Sequence, residues 1–449
     1  MNLKNKKISI IGAVRSGIAA AKLVKNIGGI PFVSEISGGE TLTAFVKELK
    51  NESIEFEIGG HSERVYDCSL MVVSPGVPND APILKMARQK GIQLISEIEL
   101  AYYYCKGKII AITGTNGKTT TTSLCGHVFN QSGLKAYIAG NIGDPFSNIA
   151  LSVKTEEIVA LEVSSFQLDL IDKFKPAIAI ILNITPDHLN RYENNLDKYA
   201  DSKQNIYSNQ DDGDYLILNK DNGEVLKYLK GHNSKSFYYS LDEELDNGSF
   251  RKNNMVYFND NGEELFCCNT SDIALKGEHN LSNAMAVICA AKLFNLDNKN
   301  IIKALQTFKG VEHRLELVRE INGVKFINDS KATNVDSVLF ALKSFDEPIL
   351  LIMGGQDKGN NYNQIKAIVI ERVKKIYAIG SSAEKIHNFF HTDVEVEIKN
   401  SLDDVVASAI KEAGKGDVVL LSPACASFDM FKNYEHRGKT FKEAVNRLS

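Results

Sequence analysis

The sequence predicts an α/β protein of three domains, on the evidence of its length, its strand pattern and one loop. At 449 residues the chain exceeds the roughly 100–200 residues that one hydrophobic core organises. Short apolar runs that end in Gly, Ser or Asn alternate with helical patterns, which is typical of parallel sheets. One run leads into a Gly- and Thr-rich loop and then a helix. We expect a Rossmann-like N-terminal domain, a central P-loop ATPase-like domain with a mostly parallel sheet, and a Rossmann-like C-terminal domain.

The strand segments group into three blocks. The first, residues 1–97, contains KKISIIGA, IPFVSE, SLMVVSPG and IQLISE. The second, residues 98–309, opens with KGKIIAITG and includes MVYFNDNGEELFC, a hairpin in which Asn-Gly supplies the tight turn. The third, residues 310–449, contains VKFIND, PILLIMGG, KKIYAIG and DVVLLSPA. No low-complexity linker separates the blocks, so the boundaries are inferred from the strand pattern alone.

Composition excludes several classes of function. Apolar residues make up 43% of the chain and charged residues 24%, and the formal net charge is −4. This balance gives no electrostatic footprint for nucleic acid or for a membrane surface. The seven cysteines are scattered, without a CxxC pair, as in a reduced cytosolic protein. Because no apolar stretch approaches the roughly 20 residues that span a bilayer, we expect a cytoplasmic protein without membrane insertion.

The most informative segment is KIIAITGTNGKTTTTSL. A buried strand, residues 109–113, runs into a loop of seven residues: Gly114, Thr115, Asn116, Gly117, Lys118, Thr119 and Thr120. Glycines allow backbone N–H groups to face phosphate oxygens, and the following helix N-terminus favours an anion. Lys118 would neutralise β/γ-phosphate charge and the Thr119 hydroxyl would bind Mg²⁺. The loop is shorter than GxxxxGK[ST], because Ile112 stands at the first glycine. The alternative is a strand–helix turn that binds nothing.

A second ligand site is indicated in the first block. Residues 12–17 loosely resemble the GxGxxG dinucleotide turn, and Glu35 ends the second strand, where a carboxylate can hold a ribose hydroxyl. Residues 74–76, Ser-Pro-Gly, end another strand at the same sheet edge. Together they indicate a nucleotide-type ligand. A tight turn without a ligand and a solvated carboxylate remain the alternatives.

Three further side chains of the second block are candidates for metal binding and catalysis. Glu162 ends the strand IVALE, His188 follows the strand AIAIILNIT, and Lys203 lies in YADSKQNIY. A carboxylate at Glu162 could reach Mg²⁺ beside the phosphate loop. Taken singly, a glutamate at a strand end is more often a turn or cap residue, a histidine after a strand is usually structural, and a lysine on a helix is usually solvated.

Read together, the motifs resemble the Mur ligase family. GTNGKTT, LEVSSFQL, NITPDHLNRY and YADSKQNIY appear in family order, and GEHNLSN, EHRLE, NDSKATN, MGGQDKG and SPACASFDMFKNYEHRG extend the resemblance through the third block. The last three, with SSFQL, are most similar to the D-glutamate-adding member of the family. The resemblance covers essentially the whole chain, and the first block is its least distinctive part.

The resemblance implies a two-step ligation. ATP phosphorylates the alanyl carboxylate of UDP-N-acetylmuramoyl-L-alanine, and the amine of D-glutamate attacks the acyl phosphate through a tetrahedral intermediate. Such chemistry relies on positioning and on stabilisation of phosphoryl charge. Two Mg²⁺ ions would clamp the phosphates and the carboxylate. Lys203 matches a family lysine that reacts with CO₂ to give a carbamate, which requires a neutral amine and so a depressed pKa. Monomers are expected, since three domains can bury their own cores.

Residue roles follow from the same resemblance. Catalytic and metal-binding roles fall to Lys118, Thr119, Glu162, His188 and carbamylated Lys203. The phosphate loop would be joined in ATP binding by Asn280, Asn283, His313, Arg314, Asp329 and Lys331. D-glutamate would be bound by Thr333, Lys358, Ser427, Phe428 and Tyr434. The UDP-linked substrate would be bound by Arg15, Ser16, Glu35, Gly76, Asn141 and His188.

One departure affects the UDP contacts. Where better-known relatives have an Asp-Thr-Arg-like run after the second strand, this chain has Glu35-Ile36-Ser37. The acidic residue is kept, but a basic contact is missing, and Arg15 in the first glycine turn is the candidate replacement.

Several alternative functions would use the same phosphate loop. A sibling ligase or a folylpolyglutamate synthase would use the same chemistry on another substrate; the third-block motifs disfavour the first and the UDP-binding first block disfavours the second. A nucleotide-dependent switch or transport ATPase would hydrolyse ATP without an acceptor amine. It would leave His188, Lys203 and the third-block motifs unexplained, and a non-catalytic scaffold would leave the intact phosphate and metal positions unexplained.

Overall fold

A computed structural model describes residues 1–38, 42–141, 143–357 and 359–448. Within these residues the chain forms three mostly parallel sheets with helices between their strands. The three-domain α/β class predicted from the sequence is confirmed. The sheets lie within residues 7–96, 108–269 and 316–421. The predicted boundaries at 97/98 and 309/310 fall between sheets and stay a prediction.

The first sheet is parallel throughout, in the order β3-β2-β1-β4-β5. The order reverses direction at β1, so the ends of β1 and β4 open the crevice in which α/β proteins bind ligands. Its strands are β1 (Lys7–Ile11), β2 (Ile30–Glu35), β3 (Glu55–Ile58), β4 (Leu70–Val73) and β5 (Leu94–Ser96).

The second sheet has the order β14-β13-β12-β11-β10-β9-β6-β8-β7. It is parallel from β7 to β12 and ends in two antiparallel pairings. The predicted hairpin is β13–β14, with Asn261 and Gly262 both at positive φ, 53° and 91°, as a tight primed turn requires. The strands are β6 (Lys108–Thr113), β7 (Ala136–Gly140), β8 (Ile158–Glu162), β9 (Ile178–Ile181), β10 (Tyr215–Asn219), β11 (Lys235–Ser240), β12 (Asn247–Lys252), β13 (Met255–Asp260) and β14 (Glu263–Asn269).

The third sheet has the order β15-β16-β20-β17-β18-β19, and only β15 is antiparallel to its neighbour. Its central strands are buried on both faces, so they read as the continuous apolar runs of the sequence. The strands are β15 (Glu316–Ile321), β16 (Val324–Asn328), β17 (Ile349–Gly354), β18 (Val373–Ile379), β19 (Glu395–Ile398) and β20 (Val418–Leu421).

Helices cover the faces of the sheets. Most begin at a polar cap residue; Ser164, for example, caps its helix through a complete capping box with Gln167. The helices are α1 (Arg15–Asn26), α2 (Thr43–Asn51), α3 (Pro82–Gln89), α4 (Glu97–Tyr102), α5 (Lys118–Gln131), α6 (Phe146–Ile149), α7 (Ser165–Leu168), α8 (Leu196–Gln204), α9 (Gly223–Lys227), α10 (Glu278–Leu293), α11 (Asn298–Thr307), α12 (Val335–Lys343), α13 (Asn363–Arg372), α14 (Ala383–Phe390), α15 (Leu402–Glu412) and α16 (Tyr434–Asn446). None in the described part of the chain is long and apolar enough to cross a bilayer.

The chain divides into two compact units. The first comprises residues 1–274 and 281–308 and contains the first two sheets; the second comprises residues 275–280 and 309–449 and contains the third. One apolar cluster runs from Leu3 through Phe174 to Tyr207, so the first two sheets share a continuous core. In the second unit, separate apolar clusters cover the two faces of the sheet.

Helix α4 lies between the first two sheets in the chain and carries two buried glutamates. The two differ in the hydrogen bonds that their carboxyl oxygens accept. Glu99 accepts backbone N–H bonds from Asp172, Lys173 and Phe174 at 2.8–2.9 Å. Glu97 accepts one, from Ser147 at 2.6 Å, and its Oε2 has no hydrogen-bond partner in the described part of the chain. Burial raises the pKa of Glu97 from 4.5 to about 7, against the lowering effect of the Ser147 bonds. Ionisation of Glu97 therefore destabilises the folded protein. At Glu99, in contrast, both carboxyl oxygens are needed as hydrogen-bond acceptors.

Glu97→Gln and Glu99→Gln should consequently have opposite effects on stability. The stabilising contribution of protonated Glu97 is complete below its unfolded pKa of 4.5 and is lost as pH rises through about 7. Glu97→Gln removes this loss, so we expect a gain of up to about 3 kcal/mol at pH 8 and little at pH 5. Glu99→Gln places amide hydrogens against N–H donors, so it should lower the melting temperature at both pH 5 and pH 8. Scanning fluorimetry checks this; a lower melting temperature for Glu97→Gln at pH 8 contradicts it.

Candidate active site

The loop between β6 and α5 has the backbone geometry that the sequence predicts for a phosphate site. Gly117 caps α5 in a left-handed conformation with φ 83°, and a Cβ there would lie 2.5 Å from Oδ1 of Asn283. Only glycine fits this position. Helix α5 begins immediately afterwards with Lys118, Thr119 and Thr120, so its N-terminal N–H groups adjoin the loop. A helix N-terminus after a glycine turn is a favourable anion site.

Two lysine amines share one carbonyl oxygen of this loop. Lys118 Nζ donates to Gly114 O at 2.9 Å and to Thr115 O at 2.8 Å. Lys203 Nζ, from α8, donates to the same Gly114 O at 2.8 Å. Lys203 is only 1% exposed, and the ring of Tyr199 lies 4.5 Å from its Nζ. Burial, and then the charge of Lys118, hold the pKa of Lys203 well below its usual range, against the nearby carboxylates. Both effects favour the neutral amine of Lys203 over its ammonium form.

Oxygen ligands converge beside the loop, at the ends of adjacent strands. Glu162 is the last residue of β8, which lies between β6 and β7. It is buried and accepts hydrogen bonds from Thr119 Oγ1 and from Asn141 Nδ2, both at 2.8 Å. The carboxylate and hydroxyl suit Mg²⁺, a hard cation that prefers oxygen. The structure thus places Asn141 beside the predicted metal ligand.

His188 lies in the loop after β9 in a strained conformation. Its φ is 52° and ψ 26°, a left-handed geometry that is uncommon outside glycine and is found at functional sites. Its side chain is 41% exposed and its Nε2 lies 3.8 Å from Asp187 Oδ2. The ring packs edge-on against Phe166, with centroids 5.3 Å apart. The imidazole is accessible and oriented by a carboxylate and an aromatic ring.

A separate cavity of about 860 Å³ lies at the carboxyl edge of the first sheet, lined by the four predicted residues Arg15, Ser16, Glu35 and Gly76. The turn before it is tight: a Cβ on Gly17 would lie 1.8 Å from the Gly12 carbonyl oxygen. Glu35 accepts backbone N–H bonds from Ala13 and Ser37 at 2.9 and 2.8 Å. Burial opposes ionisation of Glu35, but these bonds outweigh it and lower its pKa.

The second unit contains another cluster of predicted residues. Asp329 follows β16, is 1% exposed and accepts a hydrogen bond from Ser422 Oγ at 2.9 Å. Arg314 Nη1 lies 3.9 Å from its Oδ1. Burial raises the pKa of Asp329 to about 6, against the lowering effect of Arg314. His313, at φ 65°, accepts a hydrogen bond at Nδ1 from Asn328 Nδ2 at 2.8 Å.

Tyr434 and Lys331, two further predicted residues, lie in this cluster. Tyr434, the first residue of α16, has its ring centroid 6.3 Å from that of His313 and 5.4 Å from Lys331 Nζ. Asn280, also in this unit, donates from Nδ2 to Lys276 O at 2.7 Å. Asn283 belongs to the first unit, where it packs against Gly117.

The residues predicted to bind an amino acid follow neighbouring strands of the third sheet. Thr333 lies between β16 and α12, and Ser427 and Phe428 lie in the loop after β20. Strands β16 and β20 pair in parallel, so these loops leave the same edge of the sheet. Ser427 is 2% exposed and Phe428 is 69% exposed. Lys358 lies outside the described residues.

Comparison with known families agrees with this geometry. Residues 7–83 match the MurD N-terminal domain, residues 112–291 the Mur ligase middle domain, and residues 313–425 the glutamate ligase domain of Mur ligases. The chain belongs to the Mur ligase family.

Its relatives match along their whole length. The UDP-N-acetylmuramoylalanine–D-glutamate ligase of Chloroherpeton thalassium is 43% identical, with 99% of each chain covered. The enzyme of that name from Koribacter versatilis is also 43% identical, with 100% of this chain and 99% of the relative covered. Among solved structures, the Thermotoga maritima UDP-N-acetylmuramate–alanine ligase MurC superposes with a TM-score of 0.63 at 19% identity, with 99% of this chain and 100% of that chain covered. This last likeness concerns the fold alone.

Two arginines of this Mur ligase were missed by sequence reasoning, and both hold loops by backbone carbonyls. Arg191 donates to the carbonyl oxygens of Pro75, Gly76 and Val77 at 2.9–3.4 Å, while its guanidinium lies 4.2 Å from the centroid of Phe166. It thus ties the cavity loop of the first sheet to the aromatic ring that packs on His188. The only sequence signal was its position in the NITPDHLNRY motif.

Arg437 plays the corresponding part in the second unit. It is fully buried and donates to Ser330 O at 2.7 Å, Ser330 Oγ at 3.0 Å and Cys425 O at 3.0 Å. Burial lowers its pKa to about 10, so it is still a cation at neutral pH. It joins the loops after β16 and β20, which carry Thr333 and Ser427.

Arg437→Met should therefore destabilise the protein. Several buried acceptors lose their donor, at about 1–3 kcal/mol each if left unsatisfied, so we expect a loss of about 3 kcal/mol or more in the free energy of unfolding. Arg447→Met is the matched control, because Arg447 is exposed and its side chain pairs, among the described residues, only with exposed Asp403; such pairs contribute about 0–1 kcal/mol. Denaturant unfolding compares the two, and equal losses would contradict the assigned role.

Proposed function

We propose that this Mur ligase is an ATP-dependent carboxylate–amine ligase that adds D-glutamate to UDP-N-acetylmuramoyl-L-alanine in peptidoglycan precursor synthesis. The observation that carries the proposal is the full-length similarity, at 43% identity, to enzymes named for this reaction. The grouping of Lys118 and Thr119 of the phosphate loop with Glu162 at the end of β8 supports it. We further propose that the protein works as a monomer in the cytoplasm.

The chemistry needs an activated acyl group, because a carboxylate is a poor electrophile until one oxygen becomes a good leaving group. A carboxylate oxygen of the alanyl residue attacks the γ-phosphorus of ATP, and ADP leaves. The amine of D-glutamate then attacks the acyl carbon, loses a proton, and expels phosphate to leave an amide. Lys118 and the N–H groups of the 114–120 loop would stabilise the phosphoryl charge, since phosphoryl transfer relies mainly on electrostatics and positioning.

The donor set beside the loop fits Mg²⁺. Thr119 and Glu162 would hold one ion, and His188 with a carbamate on Lys203 would hold a second. When bound, the ions supply charge neutralisation to the phosphates and to the attacking carboxylate. Thr119 and Glu162 already lie 2.8 Å apart in a buried position, so the protein itself fixes these ligands.

The carbamate on Lys203 is the finer part of the proposal. Its neutral amine would attack the carbon of CO₂ and lose a proton, which exchanges an amine for an anionic oxygen ligand. The pKa of Lys203, depressed by burial and by Lys118, supports this chemistry.

The remaining ligand contacts are proposed as follows. The ATP-binding residues are Gly114, Thr115, Asn116, Gly117, Lys118, Thr119, Thr120, Asn280, Asn283, His313, Arg314, Asp329 and Lys331. The UDP-linked substrate is bound by Arg15, Ser16, Glu35, Gly76, Asn141 and His188. D-glutamate is bound by Thr333, Lys358, Ser427, Phe428 and Tyr434, of which the hydroxyls and the lysine suit carboxylates.

Phosphate release with defined substrates tests the activity. Purified protein with UDP-N-acetylmuramoyl-L-alanine, ATP, Mg²⁺ and bicarbonate should release phosphate only when D-glutamate is added, and the product should be heavier by one glutamyl residue. Lys118→Ala should reduce kcat at least about a hundred-fold, as when a donor to developing charge is removed. Release without an amine would indicate an ATPase, and release with L-alanine or a diamino acid instead would indicate a sibling ligase.

Carbamylation makes a separate prediction. Lys203→Ala should lower kcat strongly, and short carboxylic acids supplied in the buffer should restore part of it, because a free carboxylate can replace the missing oxygen ligand. Lys198 lies on the same helix but is exposed, so Lys198→Ala should leave kcat unchanged. Crystals grown with bicarbonate should show the modification; an unmodified Lys203 amine in fully active protein would refute it.

A further inference from the structure

A hydrogen-bonded relay lies behind the cavity of the first sheet. Ser34 Oγ, fully buried in β2, donates to Glu57 Oε1 at 2.6 Å and lies 2.6 Å from His61 Nδ1. Ser62 adds a backbone N–H bond and a hydroxyl bond to the Glu57 carboxylate at 3.0 and 2.6 Å. His61 also lines the cavity of about 860 Å³, together with Glu35 and Ser37. The relay therefore connects a fixed carboxylate to an imidazole at the wall of a ligand cavity.

The relay fixes which nitrogen of His61 carries hydrogen. A carboxylate only accepts, so the single hydroxyl hydrogen of Ser34 is used on Glu57. Ser34 Oγ must then accept from His61 Nδ1–H. In a neutral imidazole this leaves Nε2 as a hydrogen-bond acceptor, and no donor in the described part of the chain bonds to it. Burial lowers the pKa of His61, against the raising effect of Glu57 and Glu35, which favours this neutral form.

The position of His61 in the cavity indicates which part of a nucleotide its Nε2 atom could bind. In Rossmann-like folds the glycine turn after β1 faces the phosphates, and the end of β2 faces the nucleoside. His61 follows β3, adjacent to Glu35 at the end of β2. A base at this end of the cavity would meet the imidazole. Uracil carries an imide N3–H donor, whereas cytosine has an acceptor at N3.

We infer that His61 is a specificity-determining residue that recognises the uracil N3–H of the nucleotide-linked substrate through its Nε2 acceptor, with Ser34 and Glu57 as positioning residues. The inference rests on the proposed function, because it assumes a uridine nucleotide in the cavity. It assigns base recognition to a residue outside the run Glu35-Ile36-Ser37 that departs from better-known relatives.

Calorimetric titration of the full chain with UDP, CDP and N3-methyl-UDP tests the inference. The unaltered protein should bind UDP about ten-fold more tightly than the other two, the effect of one hydrogen bond worth about 1.4 kcal/mol. His61→Phe keeps an aromatic ring without the acceptor, so it should bind all three alike. His232→Phe is the control, since His232 bonds to Ser234 and Ser236 and does not line the cavity.

Ser34→Ala is a second, conservative variant. Without the Ser34 oxygen, Nδ1–H loses its partner and the imidazole can instead carry hydrogen at Nε2, which would donate to cytosine N3. The preference for UDP over CDP should then fall at least several-fold. Nitrogen NMR of ¹⁵N-histidine protein should show the Nδ1–H form for His61, identified by its absence in His61→Phe, and a change of form in Ser34→Ala.

The outcomes separate the inference from the function beneath it. A UDP preference retained in His61→Phe, or an Nε2–H tautomer in the unaltered protein, overturns the inference while ligation of UDP-N-acetylmuramoyl-L-alanine continues. Absence of UDP binding together with absence of ligation in the unaltered protein overturns the proposed function. Loss of the preference in His61→Phe but not in His232→Phe supports the inference, with Ser34→Ala as the test if His61→Phe does not fold.

Discussion

The carbonyl oxygen of Gly114 is the constraint around which the central site is arranged. It accepts hydrogen bonds from Lys118 and from Lys203 at 2.9 and 2.8 Å. Two ammonium groups at one oxygen repel each other, and burial together with the charge of Lys118 lowers the pKa of Lys203. Lys118 lies at the helix N-terminus, where a lysine can complement an anionic phosphate. One shared acceptor thus holds a half-buried lysine beside a fully buried one whose pKa is lowered.

Much of the site was predictable because parallel sheets place strand ends at a common edge. Gly117, Lys118 and Thr119 were identifiable from local chemistry, and Glu162 from its position at the end of a buried strand. The structure brings Glu162 to Thr119 at 2.8 Å because β8 lies directly beside β6. The strand order itself is not written in any short segment. Sequence reasoning could therefore identify the candidate ligands but not that Asn141, after β7, would bond to Glu162.

What sequence reasoning missed depends on contacts between distant segments. Arg437 looked like one more charged residue of α16, yet it is fully buried against carbonyls more than one hundred positions away at Ser330. Arg191 is likewise separated from Gly76 by 115 positions. A lone arginine is usually solvated, and neither local spacing nor periodicity signals the exception. His61 was overlooked for the same reason, since its significance depends on Ser34 and Glu57 in two other segments.

The hydrogen-bond partners of fully buried Arg437 and half-buried Arg191 are consistent with anionic ligands. A buried guanidinium is usually neutralised by a carboxylate, but the hydrogen bonds of Arg437 go to backbone oxygens and one serine hydroxyl, and those of Arg191 go to three carbonyls. Carbonyl dipoles hold the loops in place without adding a full negative charge. Carboxylates directly paired there would weaken the field that attracts phosphate and carboxylate groups. In each unit a loop is thereby fixed by an arginine whose hydrogen bonds go to neutral oxygens.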